Sequence, residues 1–290
     1  MSNRMLVEST DRMYRPLFLL LQAAAVAVLL GRGWQHFFWD APYRALLWDE
    51  SLLKGLVEGV FGTPWREYVT DPANDRRISL FIRILGIFYF LCALLVIWIS
   101  RVPMWLRRSL WVASFSLAIL AWLYSMDKFL HLGQFLEYSL QVGAPLFIYV
   151  AASRQRIDEP LAFWMRLATS VTFISHGLYA FGFYQVPGNF MTMVISILGV
   201  SDGVALQFLK AAGFLDFVVA VLIWLPGKWR MAGLYYCVLW GAATSFARVW
   251  AYFVPEFWLE SLHQWLHETV MRFPHFLIPL ALLLLERRSR

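Results

Sequence analysis

The stretch at residues 83–99, RILGIFYFLCALLVIWI, decides the fold class, because it is apolar after its first residue and long enough to cross a membrane. A helix crosses the roughly 30 Å of hydrocarbon in a bilayer with about 20 residues. Similar apolar stretches occur along the rest of the chain. We predict eight transmembrane helices, at residues 16–34, 80–99, 109–126, 134–152, 163–183, 204–225, 231–251 and 266–285.

The composition supports this interpretation. Hydrophobic residues make up 60% of the chain and charged residues 15%, against about 45–50% and 25% in soluble domains. A polytopic all-α membrane helix bundle is therefore expected, with the lipid bilayer as its surroundings. The net charge of +6 does not indicate a nucleic-acid partner, because the basic residues lie in short clusters between apolar stretches. Cys92 and Cys237 lie in separate predicted spans, which argues against a disulfide or dithiol centre.

Basic residues mark alternate connections between the predicted spans, and such clusters stay on the cytoplasmic side of a membrane. The marked connections and ends contain Arg4, Arg12, Arg15, Arg101, Arg107, Arg108, Arg154, Arg156, Lys228, Arg230, Arg287, Arg288 and Arg290. The opposite short connections contain Lys128 and little else. We predict a bacterial inner-membrane protein with both termini in the cytoplasm.

The long exoplasmic connection, residues 35–79, is not a featureless linker. Between Leu46 and Val60 its apolar residues recur at near-helical spacing. This pattern predicts an amphipathic helix that lies on the membrane surface or caps the bundle. A shorter counterpart, NFMTMVISILGVSD, follows the fifth predicted span at residues 189–202.

The chain also contains an internal duplication. The stretch at 83–99 resembles KAAGFLDFVVAVLIWLP at 210–226, and QFLEYSLQVGAP at 134–145 resembles QWLHETVMRFPH at 264–275. The matched positions are Arg83 with Lys210, Gly86 with Gly213, and His36 with His176. We predict two four-helix halves in parallel orientation, residues 1–156 with the long loop and residues 157–290.

The second half resembles the DoxX-like family of small four-helix membrane proteins. The resemblance lies in RLATSVTFISHGLYAFGF at 166–183 and FLKAAGFLDFVVAVLIWLPGKWRMAG at 208–233. The shared features are Arg166 opening the span, the pair His176 and Gly177, and an acidic residue, Asp216, in a later glycine-containing helix. Ala180 or a neighbour stands where family members often carry lysine. Some relatives are subunits of quinone-linked oxidoreductases, so the resemblance implies quinone as the ligand.

Ionisable side chains in the spans are concentrated in the exoplasmic half. They are Arg32, Arg83, Asp127, Glu137, His176, Lys210, Asp216, Arg248, His267, Glu268, Arg272 and His275. A charge in hydrocarbon costs several kcal/mol, so such groups face a bundle interior or a wet cavity. We predict one cavity open toward the exoplasm. The predicted proton-exchanging, catalytic residues are Asp216, His176 and Glu137, and the predicted ligand-binding residues are Arg83, Lys210, His267 and Arg272.

Two alternatives apply to parts of this cluster. Arg83 and Lys210 could instead be structural partners of Glu137 or Asp216. The second alternative is that four residues end helices and extend to the membrane interface, namely Arg32, Arg248, Lys128 and His263.

His263 and His267 stand four residues apart in HQWLHE, on one face of a helix. Two imidazoles in that arrangement can share a metal ion or contact a haem. A third fixed ligand is missing from the motif, and histidines that pack in a helix interface are the more common case. The metal assignment to His263 and His267 is therefore secondary to quinone binding.

These patterns favour one function over two alternatives. The first is an integral membrane component of a quinone-linked or other redox system, an oxidoreductase subunit that binds an amphiphilic ligand in the exoplasmic-side cavity. The second is a non-enzymatic partner or assembly subunit that docks an exoplasmic or membrane protein through residues 35–79. The third is a transporter, which the duplication suits.

Overall fold

Helices cover the predicted apolar stretches in a computed structural model of the chain. The structure describes the backbone of residues 2–288 and the side chains of residues 14–287, so the predicted cytoplasmic side chains of Arg4, Arg12, Arg288 and Arg290 lie outside it. No strand occurs in the described backbone. The helices are α1 (Ser2–Phe38), α2 (Arg44–Leu47), α3 (Glu50–Val60), α4 (Trp65–Thr70), α5 (Pro72–Ile97), α6 (Met104–Arg107), α7 (Ser109–Met126), α8 (Leu132–Leu136), α9 (Ser139–Arg154), α10 (Glu159–Phe181), α11 (Gly188–Leu198), α12 (Asp202–Leu222), α13 (Lys228–Tyr252), α14 (Trp258–Val270) and α15 (Pro274–Arg288).

Five segments among the described residues are long and apolar enough to cross a membrane: Tyr14–Phe38, Pro72–Ile97, Met104–Met126, Leu132–Arg154 and Asp202–Leu222. A sixth is added if α13 and the segment Pro255–Val270, which meet at a bend of 91°, form one span. The all-helical membrane prediction is supported, with five to six candidate spans.

The predicted span at 266–285 is wrong as a single helix. α14 ends at Val270 and α15 begins at Pro274. Pro274 has no N–H group to donate to the Val270 carbonyl, and the Phe273 N–H donates to that carbonyl instead, in a tighter turn between the two helices. α15 has 15 residues and on its own is shorter than a typical span.

Local capping explains several helix starts. Asp71 accepts a hydrogen bond from the Ala73 amide and is followed by Pro72, a combination that favours the first turn of α5. Asp158 accepts from the Leu161 amide at the start of α10. Asp49 accepts from the Leu52 amide at the start of α3. The predicted amphipathic helix in the long connection is therefore interrupted, because α2 and α3 are separate helices.

Four helices form the centre of the bundle. α1 packs against α9 and α15, and α10 packs against the same two helices. Each central helix also carries an outer one, so that α5 lies on α1, α7 on α9, α12 on α10 and α13 on α15. The outer helices expose large apolar side chains, among them Leu91, Phe115, Val221 and Leu239. Such surfaces fit a lipid bilayer rather than water.

Two close helix crossings organise this arrangement. A Cβ on Gly86 of α5 would lie 2.9 Å from the Phe37 nitrogen of α1, and one on Gly213 of α12 would lie 2.5 Å from the Phe181 nitrogen of α10. Neither position has room for a side chain. Small residues let helix backbones approach this closely in membranes, where apolar packing against lipid gives no driving force.

Candidate functional site

A cavity of about 270 Å³ lies among α10, α11, α12 and α13. We call it the His176 cavity. Its ionisable lining consists of Glu137, His176, Asp216, Arg248 and Arg272. The remaining wall is mostly apolar and consists of Ala180, Phe190, Met193, Val194, Ile197, Leu198, Phe208, Leu209, Trp240, Ala243, Thr244 and Ala247. The cavity therefore joins a polar region to an apolar surface inside the bundle.

His176 and Glu137 form a pair across two elements of the fold. The His176 Nε2 atom lies 3.5 Å from the Glu137 Oε1 atom, and Gln134 donates a hydrogen bond of 3.2 Å to the other carboxylate oxygen. The crossing at Gly177 places His176 on this side of α10, and Glu137 follows the short helix α8. The imidazole of His275 packs 5.3 Å from that of His176, measured between ring centroids.

Asp216 is the most deeply buried acid of the cavity, with 1% of its surface exposed. The Tyr236 hydroxyl donates a hydrogen bond of 3.1 Å to its Oδ1 atom. Within the part of the chain that the structure describes, no ion pair joins Asp216 to a basic side chain within 4.0 Å. Tyr236 was not predicted from the sequence, because nothing marks one tyrosine of an aromatic-rich span as the partner of a buried acid.

Two arginines share one carboxylate beside the cavity. The Nη1 atom of Arg248 lies 3.1 Å from the Glu268 Oε2 atom, and that of Arg272 lies 3.4 Å from the same oxygen. Arg272 also donates a hydrogen bond of 2.6 Å to the Glu268 backbone carbonyl. Each arginine keeps further N–H groups that can donate to a ligand.

The alternative that Arg32 and Arg248 extend to the membrane interface is wrong, because both are buried, at 1% and 9% exposure. The same alternative fits Lys128 and His263, which are exposed. A sequence-based depth estimate places a residue along the membrane normal but not around the helix axis. For that reason it cannot separate an arginine facing the bundle from one that extends to the interface.

The structure brings together four of the predicted residues, His176, Asp216, Glu137 and Arg272, on one cavity. Arg83 and Lys210 are exposed and do not line it, and no ion pair in the described chain joins either of them to Glu137 or Asp216. Each stands one turn before its crossing glycine, where α1 and α10 have already ended.

His267 lies in a different groove, together with His263, Trp34 and Trp39. Both indoles donate to the His263 backbone carbonyl, at 3.2 Å and 3.3 Å, and both rings lie 5.2 Å from its imidazole. Among the described residues, no group of three or more histidine, cysteine, aspartate or glutamate side chains is arranged to hold a metal ion. The predicted metal pair thus has two ligands and no third.

No family model, no curated protein and no solved structure matches the chain.

Proposed function

We propose that this protein is an integral membrane component of a redox system and binds a quinone-type amphiphile in the His176 cavity. The observation that supports this is the combination in one cavity of charged hydrogen-bonding groups and a continuous apolar wall. Ligand pockets typically have such a wall with a few placed polar groups. The volume of about 270 Å³ suits a head group and the start of a tail, since whole-ligand pockets begin at roughly 300 Å³.

The polar groups supply the chemistry that a quinone head requires. Arg248 and Arg272 present N–H donors for its carbonyl oxygens, and the apolar side chains of α11 take up its tail. His176, Glu137 and Asp216 hold and pass protons at the ligand oxygen, because imidazole and carboxyl groups are the side chains best suited to that task. Electrons would come from a separate redox partner. The protein is, in this proposal, a DoxX-like oxidoreductase subunit.

The proposal includes the eight-span, two-repeat organisation. Its support is that helix contacts recur in equivalent pairs. α7 packs on α9 as α13 packs on α15, and α8 packs on α7 as α14 packs on α13. α8 also contacts α10 as α14 contacts α1. α10 is less apolar than the five candidate spans, yet its polar residues Thr169, Ser170, Thr172 and Ser175 are buried against protein and do not face lipid. A span inside a bundle tolerates such residues.

Binding is tested with tritiated decyl-benzoquinone and the purified protein in lipid nanodiscs. The wild type should bind the probe saturably, and Arg272→Gln should weaken binding roughly 10- to 100-fold, since a charge-assisted hydrogen bond contributes about 1.5–3 kcal/mol. Lys210→Gln is the matched control and should bind like the wild type. Absence of saturable binding, or an equal loss in both variants, would contradict the proposal.

The proton role is tested by Asp216→Asn, which keeps the shape of the side chain and removes its charge. Quinone-dependent activity should fall while expression and membrane insertion stay normal. A reduced folding yield with unchanged activity per folded molecule would instead assign Asp216 to structure.

The proposed topology, with the long connection outside, is tested by single cysteines labelled in intact cells with an impermeant maleimide. Labels at Ser51 and Asn189 should react, and a label at Ser2 should be protected. The matching position near the other terminus, Ser289, lies outside the described residues. Reaction at all sites, or at none, would overturn the assignment.

A second candidate, a partner or assembly subunit, is favoured by the apolar surface of α3. Leu52, Leu56 and Val60 are exposed there, and only Val57 of that helix is buried. Replacing the three exposed residues with serine should release a stoichiometric protein partner during purification in this alternative, and should leave decyl-benzoquinone binding unchanged. No separate observation favours a transporter.

A further inference from the structure

The two glycine crossings define a common register for the two halves. A Cβ on Gly86 would lie 3.0 Å from the Gly33 carbonyl oxygen, and a Cβ on Gly213 would lie 3.0 Å from the Gly177 carbonyl oxygen. The Cβ on Gly86 would also approach Phe37, and the Cβ on Gly213 would also approach Phe181. Phe37 and Phe181 lie four residues after Gly33 and Gly177. α1 and α5 therefore cross with the same offsets as α10 and α12.

This register pairs the residues beside the glycines. Arg32 corresponds to His176, His36 to Ala180, and Tyr89 to Asp216. The alignment differs from the sequence-based pairing of His36 with His176 by one helical turn. The three second-half residues all line the His176 cavity.

In the first half the equivalent space is filled by rings. The His36 imidazole packs 5.1 Å from the Tyr89 ring and 5.7 Å from the Tyr43 ring, measured between centroids. Its Nε2 atom lies 3.3 Å from the Tyr43 hydroxyl. His36 and Tyr89 have no exposed surface, and Tyr43 has 6%. We call these three residues the aromatic plug.

A hydrogen bond to an outer helix, α7 or α13, occurs at the paired position in both halves. Tyr89 is hydrogen-bonded to Ser116 of α7 at 2.8 Å, as Asp216 is to Tyr236 of α13 at 3.1 Å. The hydrogen-bonded framework is therefore the same, and the side chains beside it differ at two positions of the paired helices. At those positions the first half has His36 and Tyr89, and the second half has Ala180 and Asp216.

We infer that the aromatic plug is a built-in counterpart of the ligand head, and that Ala180 is the size-determining residue that keeps the second copy of the site open. The ligand head is then a planar ring that carries a hydrogen-bonding oxygen, as the Tyr43 and Tyr89 rings do. This inference rests on the proposed function for its binding measurements. It adds the shape of the head group and the residue that admits it.

The first test is Ala180→His, which installs the first-half residue in the second half. Decyl-benzoquinone should bind at least ten-fold more weakly, because the imidazole occupies the space of the head. His36→Ala, a change in the other half, is the control and should leave the affinity of the His176 cavity within about two-fold. Unchanged binding to a folded Ala180→His variant would overturn the inference.

A second measurement needs no ligand and remains useful if the histidine variant does not fold. Ala180→Cys should react with a membrane-permeant maleimide at least ten-fold faster than the native Cys92 and Cys237, because position 180 lines the cavity and the two buried cysteines do not. A label rate equal to that of the buried cysteines would mean that position 180 does not face an open cavity, and the inference would fail independently of the proposed function.

The head-group class is tested with two probes on the wild-type protein. Decyl-benzoquinone should bind at least ten-fold more tightly than decanol, which has the tail and an oxygen but no ring. Equal affinity would overturn the ring assignment while leaving amphiphile binding in place. Failure of both probes to bind would overturn the proposed function as well.

Discussion

The helix crossing at Gly86, in the first half of the chain, and the crossing at Gly213, in the second half, hold different polar groups. In the first half, Arg32 donates hydrogen bonds of 3.1 Å and 2.7 Å to the Gln141 amide oxygen, and its guanidinium lies 4.8 Å from the Tyr138 ring centroid. In the second half, the equivalent His176 faces Glu137 across 3.5 Å at the edge of a cavity. One half is a filled core and the other contains an open site.

The difference shows how a fixed charge is held inside an apolar bundle. Arg32 is 1% exposed, and in the described chain no carboxylate lies within 4.0 Å of it. Neutral acceptors, Gln141 and Gln35, and aromatic rings offset its loss of water. Three of the five guanidinium N–H groups of Arg32 donate to these amides, and the whole side chain is buried. His176, Arg248 and Arg272 instead line the His176 cavity, where they can donate to a ligand.

The largest expected effect comes from removing the acceptor of the first half. Gln141→Leu leaves the Arg32 guanidinium buried with most of its hydrogen bonds broken. We expect a loss of about 3–5 kcal/mol in the free energy of unfolding, the range for an uncompensated buried charge. Thermal unfolding in detergent measures it. Gln207→Leu, at an exposed position of α12, should change stability little. A small effect of Gln141→Leu would show that Arg32 finds other partners.

The helix crossings predict an intermediate effect in both halves. Gly213→Ala and Gly86→Ala each force a Cβ onto backbone atoms and should destabilise the protein by about 1–3 kcal/mol. Gly213→Ala should cost more, because its Cβ would approach the neighbouring backbone to 2.5 Å rather than 2.9 Å. Gly203→Ala is the control on α12, where no atom lies within 4 Å. It should be neutral or stabilising. Tolerance of alanine at either crossing would break the shared register of the halves.

The smallest expected loss of stability comes from removing the hydrogen bond between Tyr89 of the aromatic plug and Ser116. Tyr89→Phe removes only the hydroxyl that bonds Ser116, so a loss of about 1 kcal/mol is expected, the typical net value of a neutral hydrogen bond. Tyr236→Phe removes the corresponding hydrogen bond of the second half; it should cost a similar amount and should also weaken decyl-benzoquinone binding, because Asp216 loses its hydrogen-bond donor. Equal binding in both variants would mean that the two hydrogen bonds do not differ in function.

Part of the site could be predicted from the sequence. The prediction that His176, Asp216, Glu137 and Arg272 lie together rested on their shared depth, and one cavity holds all four. The same reasoning included Arg83 and Lys210, which are exposed. Depth was similar for all these residues. Membership of the cavity depended on the side of its helix on which each residue lies, which depth in the membrane does not resolve.

The sequence by itself determined the apolar, helical class of the chain and the match of Gly86 with Gly213. These properties follow from local patterns, because the length of an apolar run and the likeness of two stretches are read from consecutive residues. The tertiary structure decided which half is open. That outcome depends on the rings of His36, Tyr43 and Tyr89 meeting in one place, and on Ala180 leaving the same place empty beside Asp216. Only the rotation and crossing of helices distant in sequence bring those side chains together.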